Sequence, residues 1–223
     1  MRSIVPELLD SLPASDPRAQ RSRRDLALIN GTMRQSAIMA LALARFPAPA
    51  LLADLGGGDG RFLLDVARRI SRNWRSVKVM VLDRHDIVSC ETRAGFEELG
   101  WRCEVMTGDI FETLPLLRPD IVIANLFLHH LNDVALARLF DATAQRAGGF
   151  AACEPRRSRF ALAASRMVFA LGANDVTRHD AVASVRAGFA GKELSALWPH
   201  EGWSLAEQAA FPFSHVFTAI RNV

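Results

Sequence analysis

From Leu51 to Ala67 the chain reads Leu-Leu-Ala-Asp-Leu-Gly-Gly-Gly-Asp-Gly-Arg-Phe-Leu-Leu-Asp-Val-Ala. A short apolar run ends at Asp54, glycines follow at 56, 57, 58 and 60, and apolar residues recur at Phe62, Leu63, Val66 and Ala67. That is a strand, a tight turn and a helix opening directly from the turn. Glycine lacks a Cβ and tolerates positive φ, so the backbone N–H groups of such a turn can come close to a ligand. A chain with this unit near its start is committed to a sheet whose strands end in ligand-facing loops.

The following residues repeat the unit. Val77–Leu82 reads as a strand ending at Asp83, with a helix over 86–98. Trp101–Met106 is a strand running into Gly108-Asp109-Ile110. Asp120–Ala124 is a buried-type strand that ends at Asn125, followed by a helix over 133–146. Gly148–Cys153 is the next strand, ending at Glu154-Pro155. Alternating strands and helices predict an α/β, doubly wound parallel sheet whose ligands bind beyond the carboxyl ends of the strands. Past Pro155 the pattern turns helical, with helices expected over 160–171, 180–189 and 192–197. Two strands, 205–210 and 213–220, close the chain. Their connection at Pro212 is too short for a crossover, so they should pair antiparallel. The expected division is residues 1–47 as an N-terminal helical arm or lid, 48–155 as a cofactor-binding core, 156–203 as a helical substrate cap, and 204–223 as the final strands. Within the arm, residues 1–24 carry Pro6, Pro13 and Pro17 with Arg18, Arg21, Arg23 and Arg24, which reads as a solvated segment, with a phosphate-binding arm as the alternative. A helix is expected from Asp25 to Phe46, broken near Asn30-Gly31.

Composition excludes several classes. Half of the 223 residues are hydrophobic, which sets disorder aside. A net charge of +3 is too mild to argue for nucleic acid, and nucleic acid is not an expected partner. Cys90, Cys103 and Cys153 fit no metal spacing and no paired framework, so reduced thiols and a cytoplasmic location are expected. No apolar run reaches membrane-spanning length and no leader pattern opens the chain, so membrane insertion is not expected. Tyrosine is absent and can serve as neither acid nor base.

The spacing of the glycine turn then sorts its ligands. No frame supplies the third glycine of G-x-G-x-x-G, and no Lys-Ser or Lys-Thr follows as a phosphate loop requires. What remains is Asp54-x-Gly56-x-Gly58-x-Gly60, with an acid at the strand tip that would repel a pyrophosphate and suit an ammonium group. Asp83, at the next strand tip, can accept bonds from ribose hydroxyls, with Arg84 beside it. Asp109, with Ile110, can meet an adenine amino group, and Asn125 and Leu126 follow the fourth strand.

These residues resemble the motifs of class I S-adenosylmethionine-dependent methyltransferases. Asp54–Gly60 matches the family's first motif, Asp83 its ribose acid, Asp109 its adenine-side acid and Asp120–Asn125 its fourth motif; Gly148–Pro155 looks like its fifth strand. The resemblance implies a Rossmann-like, seven-stranded sheet with its last strand antiparallel, and S-adenosylmethionine as cofactor. Asn125-Leu-Phe-Leu-His-His-Leu-Asn-Asp133 followed by Glu154-Pro155 is similar to enzymes that methylate small molecules such as quinone and polyketide phenols. The amino-methylating nucleic-acid enzymes carry [DNS]-P-P-[YFW] at Asn125, which this chain lacks. The carboxylate cluster of the metal-dependent catechol enzymes is also not visible.

A phenol must lose its proton, and imidazole is a suitable base near neutral pH. His129 and His130 are the candidates beside the cofactor, and His179 is a third; each has a plain structural alternative. No metal is expected, because adjacent histidines should point apart and no third ligand is evident. Phe127, Asn174, Asp175, Arg178 and Arg186 are the candidate acceptor contacts. The insert also holds Trp198 and Trp203; its Phe160, Met167, Phe169 and Phe189 suggest an apolar pocket, although helix faces that pack the core would look the same, while His215 reads as structural. The expectation is therefore O-methylation of a phenolic, quinone-like or polyketide-derived small molecule. An RNA or protein target, motivated by the arginines at 18–24 and 156–159, and a cofactor-binding scaffold without catalysis stay open. So does a homodimer.

Overall fold

A computed structural model describes residues 2–13, 16–167 and 172–222. Seven strands form one sheet in the order β3-β2-β1-β4-β5-β7-β6. They are β1 (Leu51–Leu55), β2 (Lys78–Asp83), β3 (Arg102–Thr107), β4 (Ile121–Asn125), β5 (Gly149–Pro155), β6 (Trp203–Ala210) and β7 (Ser214–Arg221). β1 to β5 pair in parallel, while β7 inserts antiparallel between β5 and β6. The sheet is Rossmann-like and doubly wound, with its last strand antiparallel, as the strand pattern predicts. The chain reverses direction across the sheet between β1 and β4, the place where such folds open a crevice for ligand.

Strand alternation sorts the core onto two faces. Leu52, Val79, Val81, Ile121, Ile123, Ala151 and Cys153 pack against helices α3 (Gln35–Leu43), α4 (Arg61–Ile70) and α5 (Cys90–Glu98). Ala53, Leu55, Leu82, Val122, Ala124, Phe150 and Phe217 pack on the other face, against α7 (Asp133–Ala144) and the segment through Trp198. The parallel strands are buried on both sides, which explains their unbroken apolar runs. At the amino edge, the exposed Asp120 accepts the N–H groups of Ala50 (2.7 Å) and Leu51 (2.9 Å) and so sets β1 beside β4.

The N-terminal region matches the expected solvated arm at Arg18, Arg21 and Arg24, which are exposed, and departs from it elsewhere. Two helices, α1 (Leu8–Ser11) and α2 (Pro17–Thr32), precede α3, and α2 starts inside the stretch read as solvated. Pro17 opens α2, where its missing N–H costs nothing. The break falls at Arg34, whose φ of 55° is left-handed, and not at Asn30-Gly31. Residues 2–9 lie as a strap on the core. The Arg2 guanidinium donates to the carbonyls of Ala187 and Leu131 and to Asp133, and sits 4.1 Å from the centre of the Phe189 ring. Leu8 and Leu9 N–H donate to the buried Asp180 carboxylate at 2.8 and 3.0 Å.

The insert also differs in detail. Helix α8 is Arg159–Arg166 and α9 is Asp175–Ala187, so α9 starts five residues before the helix expected over 180–189 and ends two residues short of it. Asn174 caps α9 by accepting the Thr177 N–H at 2.8 Å. Only a 3-10 turn, Ser195–Leu197, forms in the stretch expected as a helix at 192–197. The remaining short helix, α6, is Ile110–Thr113.

Candidate functional site

At the carboxyl edge, the glycine turn needs its glycines for separate reasons. Gly56, Gly58 and Gly60 have φ of 64°, 55° and 72°. A Cβ on Gly56 would come within 2.2 Å of the Phe127 ring, and one on Gly57 within 2.6 Å of Asp54 Oδ2. Gly60 caps α4, so the turn delivers the start of that helix to the same edge. The Gly58 N–H donates to Asp83 Oδ2 (2.9 Å) and the His85 N–H to Asp83 Oδ1 (3.1 Å). Asp83 therefore ties the β2 tip to the glycine turn and keeps lone pairs for a ligand.

Asp54 sits on the α3–α4 face and is 1% exposed. Its Oδ2 is shut off from solvent with no hydrogen-bond partner. Burial pushes its carboxyl up to about 8, and the charge of Asp83 adds to the shift. Asn125 ends β4 on the same face of the sheet, since its side chain alternates with that of the buried Ala124. Its amide lies 3.5 Å from Gln35 Oε1, at the start of α3. Asn125 Oδ1 and Gln35 Nε2 also lack partners and are closed to solvent. One tip of the sheet thus holds two unpaired acceptors and one unpaired donor. An unpaired buried polar group costs about 1–3 kcal/mol, so a ligand that pairs these atoms gains that much at each. Gln35 was not among the residues singled out by sequence; a lone amide in an otherwise apolar helix was its only signal.

The other expected cofactor residues line the same edge. Asp109 caps α6, with Oδ1 accepting the Phe111 N–H (2.8 Å), and stays exposed; Ile110 beside it is buried. Arg84 is exposed in the turn after β2. Leu126 takes a φ of 52°, a conformation that costs a side-chain-bearing residue about 1–2 kcal/mol and commonly marks functional turns. Its N–H donates to the Cys153 carbonyl (3.1 Å), which holds the strained turn against β5.

Beyond Phe127 the chain makes a 3-10 turn, Leu128–His130, around a single buried carboxylate. Glu154 Oε1 accepts the N–H groups of Phe127 and Leu128, each at 2.9 Å, and Oε2 meets His129 Nδ1 at 2.8 Å. His129 is 3% exposed, and its Nε2 lies 3.5 Å from Glu7 Oε1 on the strap. Burial alone would push the imidazole down. The hydrogen bond to Glu154 and the nearby Glu7 outweigh it and lift the ring to about 9. Glu7 is bonded to the Ser184 hydroxyl, and its own carboxyl is held low: burial pushes it up, but the contact with His129 dominates. His130 is exposed, and its ring lies beside that of His129, centroids 4.2 Å apart and planes tilted by 34°. The expectation that adjacent histidines point apart, with no third ligand near, fails here. The 3-10 turn brings the rings together, and Glu7 arrives from a distant part of the chain. Glu154 was visible in sequence as a strand end and in the Glu154-Pro155 resemblance, not as the partner of His129.

The insert contributes less to this edge than expected. His179 Nδ1 pairs with Asp180 (2.9 Å), the same carboxylate that takes the strap N–H groups. The Asn174 amide also donates to the Arg18 carbonyl (2.8 Å), while Asp175, Arg178 and Arg186 are exposed on α9. Trp198 and Trp203 are core residues packed with Phe140, Phe150 and Phe217, and Phe189 is core as well. For Phe189 the structure thus has the core-packing alternative. Phe160 is exposed and stacks on Phe213, and Met167 is exposed; Phe169 lies outside the described residues. His215 is structural, its Nε2 2.7 Å from the buried Glu207.

A family model described as an O-methyltransferase domain matches residues 14–150. No curated protein matches the chain by sequence. Among solved structures, an O-methyltransferase family protein from Burkholderia thailandensis aligns with TM-score 0.60 and 18% identity, over 94% of this chain and 61% of that one. The mitomycin 7-O-methyltransferase aligns with TM-score 0.64 and 20% identity, over 96% and 60%. A plantazolicin methyltransferase in complex with SAH aligns with TM-score 0.64 and 12% identity, over 94% and 92%. The chain thus spans about three-fifths of the first two and nearly all of the third. At these identities the likeness establishes the fold.

Proposed function

The chain belongs to the O-methyltransferase domain family, and from that membership we propose that it methylates an oxygen of a small molecule, with S-adenosylmethionine as methyl donor. The observation that carries the reading is the trio of buried, unpaired atoms at one sheet tip: Asp54 Oδ2, Asn125 Oδ1 and Gln35 Nε2. Two acceptors and a donor beside a glycine turn match the ammonium and carboxylate of an amino-acid group. A nucleotide phosphate would meet the Asp54 carboxylate instead. In this reading Asp54, Gln35, Asn125 and the turn Gly56–Gly60 hold the amino-acid end. Asp83 holds the ribose, and Asp109 with Ile110 flanks the base, beside Arg84 and Leu126. The bound cofactor supplies a methyl group already activated on a positively charged sulfur.

The chain's own part is binding and alignment, which can supply much of the rate of an in-line transfer. His129 is the histidine assigned to the acceptor's proton: Glu154 and Glu7 together keep its ring protonated near neutral pH, so Nε2 takes a proton only once Glu7 gives way and the ring falls back, with Glu154 still holding Nδ1. An acidic hydroxyl such as a phenol suits this site, because it ionises without a strong base. Phe127, over the glycine turn, is the apolar contact assigned to the acceptor. An RNA target gains nothing from the structure: Arg18 pairs with Asp16, Arg21 bonds the Gly172 carbonyl, and Arg157 pairs with Glu193. Among the described residues no helix is long and apolar enough to cross a membrane.

Calorimetric titration with S-adenosylmethionine and its demethylated product tests the reading, followed by turnover on a panel of phenols. Saturable heat is expected. Asp83→Ala should weaken it about 10- to 100-fold, the equivalent of one charge-assisted hydrogen bond. No heat with either compound would sink the assignment, and binding without turnover on any phenol would remove the acceptor class.

A further inference from the structure

We propose that Glu7, His129 and His130 form a binding site for a divalent first-row transition-metal ion. One ligand atom from each residue lies within 4.8 Å of the other two. Around an ion bound at ~2.0–2.2 Å, tetrahedral ligand atoms stand roughly 3.3–3.5 Å apart. Small rotations of Glu7 and of the exposed His130 side chain close that difference.

Three further features of the cluster suit a metal. The adjacent rings, 4.2 Å apart between centroids, bring two imidazoles together at the 3-10 turn. His129 Nδ1 is held by the Glu154 carboxylate at 2.8 Å, the outer-sphere contact that orients a ligating imidazole and raises its basicity. Glu154 is itself locked by the N–H groups of Phe127 and Leu128, so the ligand stands on a rigid base. The charges also fit: two carboxylates converge on the His129 ring, and a doubly positive ion balances them. Two imidazoles and one carboxylate select zinc, cobalt or nickel over magnesium or calcium. Because His130 is exposed, an ion can enter from solvent and keep water as a further ligand.

The site joins two distant parts of the chain. Glu7 belongs to the strap and the histidines to the loop after β4, so a bound ion fastens the strap down. It would also occupy His129 Nε2, the nitrogen assigned above to proton transfer, so that nitrogen holds the metal or takes the proton, never both. The metal site does not depend on the methyl-transfer reading.

The full chain, stripped with a chelator, is titrated with ZnCl2 in a calorimeter and with CoCl2 by visible absorption. One site per chain is expected, with the d–d bands of a low-coordinate Co2+ complex. Glu7→Gln and His130→Asn should each weaken binding at least tenfold, while Cys90→Ser and His200→Asn leave it unchanged. Zn2+ should also slow thermolysin cleavage at Leu8-Leu9 in the wild type and not in Glu7→Gln. His130 is on the surface, so its variant reads the site even if Glu7→Gln loosens the strap. Absence of saturable uptake overturns the proposal, as does affinity unchanged in His130→Asn. Heat from S-adenosylmethionine in the same protein without Zn2+ uptake overturns the metal site alone.

Discussion

A Cβ on Gly56 would stand 2.2 Å from the Phe127 ring, whereas one on Gly58 would meet nothing within 4 Å. Both residues have positive φ, so alanine costs each about 1–2 kcal/mol of backbone strain. Gly56→Ala must also move Phe127, and a larger loss of unfolding free energy, ~3 kcal/mol or more, is expected in urea. Gly58→Ala should cost only the strain yet weaken cofactor binding at least tenfold, because the space it fills is the cradle. Cofactor affinity unchanged in Gly58→Ala would show that the ligand lies elsewhere. Asp54 adds a pH dependence. Its folded-state value, pushed to about 8 by burial, stands above the unfolded value of 3.8. The folded state then binds the extra proton between those values, so raising pH across that window removes stability. Urea unfolding of the cofactor-free protein should show stability falling from about pH 4 to pH 8, and Asp54→Asn should flatten the slope. Saturating cofactor should reduce the slope too, because an ammonium group favours the ionised carboxylate. A wild-type slope equal to that of Asp54→Asn would contradict the burial of this charge.

Two elements use one device at opposite ends of the second half of the chain. On β5, Glu154 gathers the N–H groups of the turn after β4 and pairs with His129. On β6, Glu207 gathers those of Leu194 (3.0 Å) and Ser195 (2.8 Å) and pairs with His215. Both carboxylates are 5% exposed or less, and truncating one partner of such a pair costs roughly 3–5 kcal/mol. Glu154→Ala and Glu207→Ala should therefore destabilise the fold comparably in urea. The glutamine variants separate structure from function. Glu207→Gln should keep turnover on an accepted phenol, and Glu154→Gln should lower it about 100-fold or more, as expected when a proton-transfer group loses its orienting partner. Equal turnover in the two glutamine variants would leave Glu154 a structural residue only.

At the scale of the whole molecule, what could be read from sequence is what depends on neighbours in the chain. Strand and helix periods, the glycine turn and the acids at successive strand tips are local patterns, and the sheet order follows from them. Pairings between distant segments left no pattern to read. Gln35 meets Asn125 across 90 positions, and Glu7 meets His129 from the far end of the chain. The arm looked solvated because its prolines and arginines are what a solvated arm would carry, yet Arg2 is spent on carbonyls and Asp133. Trp198 and Trp203 had to be buried, but hydrophobicity does not say whether an aromatic residue fills a core or a pocket.

The same asymmetry makes a prediction about the whole sheet. Its carboxyl edge carries the strained and unpaired groups, the turn 56–60, Leu126 and the atoms of Gln35, Asp54 and Asn125, with Asp83 tied to the turn beside them. Its amino edge is already satisfied, with Asp120 taking the N–H groups of Ala50 and Leu51. A ligand that completes only the carboxyl edge should slow amide hydrogen exchange at 56–60, 83–85, 109–111 and 125–128, and leave 48–51 and 118–121 unchanged. At 100 times its dissociation constant it adds about 2.7 kcal/mol of stability, which for a chain of this size raises the melting temperature by roughly 5–10 °C. Protection spread evenly over both edges would mean global stabilisation without a site at the strand tips. Protection confined to the turn 56–60 would remove Asp83 and Asn125 from the site while keeping the glycine turn.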